Sequence, residues 1–221
     1  MILAYNTSLA DLHIGLFSDS AEPLVEFHQS PSENDRGIHD ALLALKTSEL
    51  LKGIHASAKD ISCITFINGP GSFTGLRIGV AFAKGLAFGS GASLIPLLAH
   101  EVLARDAWFV VRGSQNATDE TRNPIPDTPT PILYPGYEKD SVYMSLVNDP
   151  KNIHYIKISE LEKMNIAEII SPMEIHVKNS ICHITPISLT TMAEIASTID
   201  HRPSTIDTLE PFYGTDFKPG K

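Results

Sequence analysis

The run Asn68-Gly69-Pro70-Gly71-Ser72-Phe73-Thr74-Gly75-Leu76-Arg77-Ile78-Gly79 constrains this chain more than any other stretch. An apolar β-type run, residues 63–67, precedes it, and a small-residue helical pattern, residues 81–87, follows. Strand, glycine turn, helix is a connection that presents backbone N–H groups at a helix N-terminus, where anions and carboxylates are favoured. Pro70 fixes φ beside Gly71, which is free to take positive φ, so the turn is tight. Ser72 or Thr74 supplies the N-cap. Counting excludes two common phosphate loops. Gly75 is followed by Leu76 and Arg77 rather than Lys and Ser/Thr, so this is no P-loop. Glycines at 69, 71 and 75 miss the G-x-G-x-x-G spacing, and the next strand, residues 93–97, ends without an acidic ribose ligand. On spacing alone, the glycines make a sharp turn with close helix packing.

Around this turn the elements read in a definite order. Residues 2–7, 13–18 and 24–28 are short apolar runs separated by polar turns, a three-stranded antiparallel meander. Ile38, Leu42, Leu45, Leu51 and Ile54 recur near helical spacing and predict a helix over 37–55. A strand over 61–67, the glycine turn, a helix to Ser90 and a strand over 93–97 complete the unit. This is the order of a ribonuclease-H-like half, the building block of the actin and sugar-kinase architecture. A further helix begins near Ala99, and residues 113–131 form a polar, proline-rich surface loop that buries no core. The second half reads as strands over 132–134, 142–147 and 155–158, a helix from Ser159, strands over 166–170 and 181–184, and a helical face over 188–199. The tail from Pro203 reads as extended. The expected domains are therefore 1–112, the loop 113–131, and 132–221. At 221 residues and 43% apolar content, the chain has enough material for one large domain or two small ones with real cores.

Several chemistries are opposed by what the chain carries. Seventeen basic against 26 acidic residues give a net charge of −9, a poor match for a phosphate backbone. Cys63 and Cys182 lie far apart, with no C-x-x-C. None of the nine histidines stands four residues from another, so no pair shares a helix face, and His39 is a lone helical histidine. No G-x-S-x-G occurs. Asp11, Asp40 and Asp60 read as turn or cap residues. Asn6-Thr7-Ser8 ends the first strand, and a neutral amide supplies no charge to a Mg²⁺ shell. The N-terminus has no basic region, and no stretch of about 18 apolar residues occurs, so neither secretion nor a membrane span is expected, and the chain reads as cytoplasmic. Gly75, Gly79, Ala81, Ala83, Gly85 and Ala87 are small enough to let a second helix approach closely.

The wording of the glycine motif, continued by Ala83-Lys84-Gly85-Leu86-Ala87, resembles the TsaB family, bacterial proteins of tRNA threonylcarbamoyladenosine synthesis. The likeness extends to Ile2-Leu3-Ala4-Tyr5-Asn6-Thr7-Ser8, Asp60-Ile61, Val142-Tyr143 and Glu210-Pro211-Phe212-Tyr213; it is dense in the first half and thin in the second. The resemblance implies two related ribonuclease-H-like lobes of the actin, sugar-kinase and Hsp70 architecture, mixed sheets flanked by helices. It implies a non-catalytic partner of TsaD in forming the modified adenosine at tRNA position 37. TsaE, an ATPase, would dock on the pair, and the chain alone would form a homodimer. tRNA would be met only through the complex, with no cofactor held by the chain itself and ATP or ADP at the partner interface. The partner-facing or nucleotide-proximal residues would be Asn6, Thr7, Ser8, His39, Gly69, Pro70, Gly71, Ser72, Phe73, Thr74, Gly75, Arg77, Gly79 and Ala83, the last two on an exposed helix face.

The catalytic paralogue TsaD holds a metal with a histidine pair on its first helix; Arg36-Gly37-Ile38-His39-Asp40 offers one histidine. Three departures stand out: Asn6 where Asp is common, Gly136-Tyr137-Glu138 where Asp-Ala-Arg is common, and Gly214-Thr215 where an arginine often follows Tyr213. The competing reading, an actin-fold nucleotide-dependent phosphotransferase or a glycoprotease-like peptidase, needs a metal-ligand set that the sequence does not offer.

Overall fold

The computed structural model describes residues 1–31, 38–111, 130–199 and 208–213. In chain order the elements are β1 (Ile2–Asn6), β2 (Leu12–Phe17), β3 (Pro23–Gln29), α1 (Ile38–Gly53), β4 (Cys63–Gly69), α2 (Phe73–Ser90), β5 (Ser93–Leu98) and α3 (Ala99–Val111). They continue as β6 (Pro131–Pro135), β7 (Ser141–Leu146), β8 (Asp149–Lys157), α4 (Ile158–Leu161), β9 (Glu168–Ser171), β10 (Ile181–Ile184) and α5 (Leu189–Thr198).

The first sheet has the order β3-β2-β1-β4-β5. β1 runs antiparallel to β2 and parallel to β4. Every residue of β1 is buried, as a continuous apolar run at the centre of a sheet must be. β3 alternates exposed and half-buried positions along most of its length, the period of an edge strand with one wet face. α1 carries the chain from β3 to β4, and α2 from β4 to β5. The core between sheet and helices joins Leu3, Tyr5, Ile64, Phe66, Val80 and Ala83. Tyr5 stacks on Phe66 with centroids 5.5 Å apart and meets Phe82 edge-on, the offset and T-shaped geometries aromatic quadrupoles favour.

The second sheet has the order β10-β9-β6-β7-β8. β6 is antiparallel to β7 and parallel to β9. Read from β8, this is the topology of the first sheet over again, so two ribonuclease-H-like units appear, as expected, although no repeat is visible in the residues themselves.

The units are discontinuous in sequence. One comprises Met1–Leu97 and Leu189–Phe212, the other Leu98–Ser188 and Tyr213–Lys221. The division at 112 and 132 differs from this in two helices. α3 buries Val102 and Leu103 in the second unit, on β6 and β8; α5 buries Leu189, Met192, Ala193 and Ala196 in the first, on β1, β2 and β4. A helical face names no partner sheet, so sequence order alone assigned both helices to their nearest neighbours. Residues 113–129 of the expected loop lie outside the described residues; Thr130 is buried and Pro131 opens β6. The expected helix from Ser159 is only the short α4 and a 3-10 turn over Glu162–Met164, and β8 starts earlier than expected, at Asp149.

Candidate functional site

The glycine turn is built from the end of β1, the end of β4 and the start of α2. Asn6 Oδ1 accepts the Ser8 N–H at 2.9 Å and the Ser8 hydroxyl at 2.5 Å, a local turn that short polar side chains favour. Asn6, Thr7 and Ser8 are all buried. The Thr7 hydroxyl donates to the Gly75 carbonyl at 2.9 Å, the Tyr5 hydroxyl to the Gly79 carbonyl at 2.7 Å, and the Ser72 N–H to the Ser8 carbonyl at 2.8 Å. Burial pushes the Tyr5 phenol well above its ordinary pKa, so it stays a donor. Ser72 is the N-cap of α2, its Oγ accepting the Gly75 N–H at 3.2 Å.

Two glycines are required here by conformation and by space. Gly69, which precedes the buried Pro70 through a cis bond, has φ 145°, and Gly71 has φ 155°. A Cβ on Gly69 would run into the Phe212 carbonyl, and one on Gly71 would stand 2.5 Å from the Ser8 carbonyl oxygen. The Phe212 N–H donates to the Asn68 carbonyl at 2.8 Å, and Asn68 Nδ2 to the Glu210 carbonyl at 3.0 Å. The tail residues 210–212 are thus strapped to the end of β4, a role that sequence reasoning did not give them.

α2 has two small-residue stripes, and the structure separates them. Gly75, Leu76, Gly79, Val80, Ala83 and Ala87 face inward and are buried. The expectation that Gly79 and Ala83 lie on an exposed face is therefore not met: Ala83 is fully buried, and a Cβ on Gly79 would lie 2.6 Å from Thr7 Oγ1. Facing outward at helical spacing are Phe73, Arg77, Ala81, Gly85 and Phe88, with Thr74 beside them. The Arg77 guanidinium lies over the Phe73 ring, 4.6 Å from its centroid. Phe88 is 87% exposed, the most exposed large apolar side chain of the described residues. Its position off the 76–80–83–87 stripe was the available signal for it. On α1, Leu45 is half exposed, and a groove of about 420 Å³ lined by Ala44, Leu51, Phe82 and Leu86 runs between α1 and α2. His39 lies in α1, and its side chain is outside the described residues.

Gly136-Tyr137-Glu138 forms the turn between β6 and β7, and the Tyr137 ring stacks on Tyr155 at 4.6 Å. Gly214-Thr215 lies outside the described residues. Among the described residues, no group of three or more His, Cys, Asp or Glu is placed to hold a metal ion, and no helix is long and apolar enough to cross a membrane.

Residues 31–116 match the family model described as TsaD, tRNA N6-adenosine threonylcarbamoyltransferase. The chain is 31% identical over 107 residues to the tRNA threonylcarbamoyladenosine biosynthesis protein TsaB of Escherichia coli K12, covering 48% of this chain and 44% of that one. It is 37% identical over 60 residues to TsaB of Haemophilus influenzae, covering 27% and 25%. The chain thus spans less than half the length of these curated relatives. In structure it is similar to YeaZ from Pseudomonas aeruginosa, with a TM-score of 0.59 at 17% identity over 88% of this chain and 90% of that one. A second structure, of a protein with similarity to the peptidase YeaZ from the same organism, gives 0.62 at 16% identity over 96% and 98%. At these identities the structures speak for the fold.

Proposed function

We propose that this chain is a member of the TsaB family, to which it is similar over about half its length, and a non-catalytic partner in the synthesis of threonylcarbamoyladenosine at position 37 of tRNA. The observation that carries this reading is the complete use of the glycine turn in internal packing. Gly69 and Gly71 lie against Phe212 and Ser8, Gly79 against Thr7, and Asn6 Oδ1 accepts from the Ser8 N–H and hydroxyl. A turn occupied in this way positions an element; it does not cradle a substrate. The element it positions is α2, whose outward face presents Phe73, Arg77, Ala81, Gly85 and Phe88. An aromatic residue beside small ones suits a closely approaching helix. The occupant is a TsaD-like protein, and in its absence a second copy of this chain. A TsaE-like ATPase docks on the pair, with ATP or ADP at the joint interface and no cofactor held by this chain alone. The net charge of −9 leaves tRNA contact to the complex.

Gly85→Leu and Phe88→Asp test the face. A Cβ on Gly85 meets nothing within 4 Å, so the fold tolerates a side chain there. Overpacking a close helix contact with Gly85→Leu costs about 1–3 kcal/mol, and Phe88→Asp removes an aromatic anchor and puts a charge in its place, so each variant weakens both self-association and the TsaD complex about tenfold or more, with melting unchanged. Sedimentation that is unaltered in both variants removes this face from the interface. Arg77→Ala is expected to lower complex formation and tRNA modification together; modification lost from a fully formed complex would give Arg77 a chemical role instead.

A further inference from the structure

In the first unit, the ends of the parallel pair β1 and β4 are closed: the turn after β1 is hydrogen-bonded to the turn after β4 through Ser8 and Ser72. The second unit repeats the topology and leaves the corresponding place open. The turn after β6 and the segment after β9 border a cleft of about 480 Å³, within the roughly 300–1,000 Å³ of small-molecule sites. It lies off the carboxyl ends of two adjacent parallel strands, where open α/β sheets take their ligands. Val142 and Ile175 give it an apolar floor and are buried. The exposed side chains of Glu138, Lys139, Glu174 and His176 line it as well. The Tyr137 ring beside them is 56% exposed and held parallel to Tyr155. Gly136 brings the turn against its neighbour strand, since a Cβ there would lie 2.5 Å from Ser141 Oγ.

We propose that this cleft binds a small zwitterion with an apolar side chain, of amino-acid or dipeptide size. Two carboxylates and an aromatic ring match an ammonium group. The Lys139 ammonium matches a carboxylate, and the apolar floor takes the side chain. A polyphosphate is a poor fit, because the lining sets two carboxylates against one lysine. The cleft shares no residue with the α2 face, so the partner reading stands or falls without it.

The test uses the full chain labelled at its methionine methyl groups, with the Met173 signal assigned by Met173→Leu. Met173 lines the cleft and is 47% exposed. Titration with the dipeptide Ala-Leu to about 10 mM, the weak end of small-ligand affinity, is expected to shift Met173 saturably. N-acetyl-Ala-Leu-amide, which lacks both charges, is expected not to. Glu174→Gln and Lys139→Met should each raise the dissociation constant about tenfold. The proposal is overturned by an unmoved Met173 signal, by an equal response to the blocked peptide, by a response to ADP in place of the dipeptide, or by unchanged affinity in both variants.

Discussion

Gly79→Leu is expected to lower the melting temperature by about 6–12 °C, from about 3 kcal/mol of overpacking at roughly 2–4 °C per kcal/mol in a chain of this size. A Cβ at this position stands 2.6 Å from Thr7 Oγ1 and 3.5 Å from the Tyr5 ring. A leucine therefore has to displace Thr7, Tyr5 or α2 itself. Any of these breaks at least one of the bonds from Thr7 to Gly75 and from Tyr5 to Gly79, each worth about 1 kcal/mol net. The control lies on the same helix: Gly85→Leu points into open space, where surface changes stay within about 0.5 kcal/mol. Thermal melts of the two variants followed by circular dichroism decide it. Equal melting, with self-association weakened only in Gly79→Leu, would mean that Gly79 faces a partner after all.

The burial of Gly79 and Ala83 shows what periodicity can and cannot deliver. Residues 75, 79, 83 and 87 form one small-residue stripe, and 81, 85 and 89 form another. Both permit close approach, so spacing alone offers two faces for one sheet. The choice is made by Tyr5 and Thr7, far away in sequence on and just after β1. The strands of the first sheet were legible because apolar runs and turns are local signals. The N-cap was narrowed to Ser72 or Thr74, and the structure gives it to Ser72. The contact that makes Gly69 indispensable comes from Phe212, on a tail whose path no local pattern records. The assignment of α3 and α5 to the opposite units failed for the same reason. The cleft of the second unit was hidden differently: Glu138 and Lys139 in one turn and Glu174 and His176 in another read separately as solvated charge. They become neighbours only when β6 and β9 pair.

Acid is expected to destabilise the second unit by about 3 kcal/mol between pH 7 and pH 4 through one side chain, His100. It is fully buried, with Nε2 3.2 Å from the Tyr143 carbonyl and the ring beside Tyr134. Burial pushes its pKa down from 6.5 to about 4, against the opposing pull of the Tyr143 hydrogen bond. Because the folded pKa lies below the unfolded one, protons favour the unfolded chain. The contribution of neutral His100 is therefore intact above pH 6.5, falls as the pH drops from 6.5 towards 4, and is fully lost below. At 1.36 kcal/mol per unit, that window gives the stated figure. Urea unfolding at each pH, followed by circular dichroism, reads the loss. His100→Gln retains a donor for Tyr143 and cannot titrate. Carboxylates affect both proteins alike, so the difference in slope isolates His100. Wild type should lose about 3 kcal/mol more than the variant across this range. Coincident slopes would show that the imidazole reaches water or a counter-charge in the folded chain, and the packing of α3 on β6 would have to be redrawn.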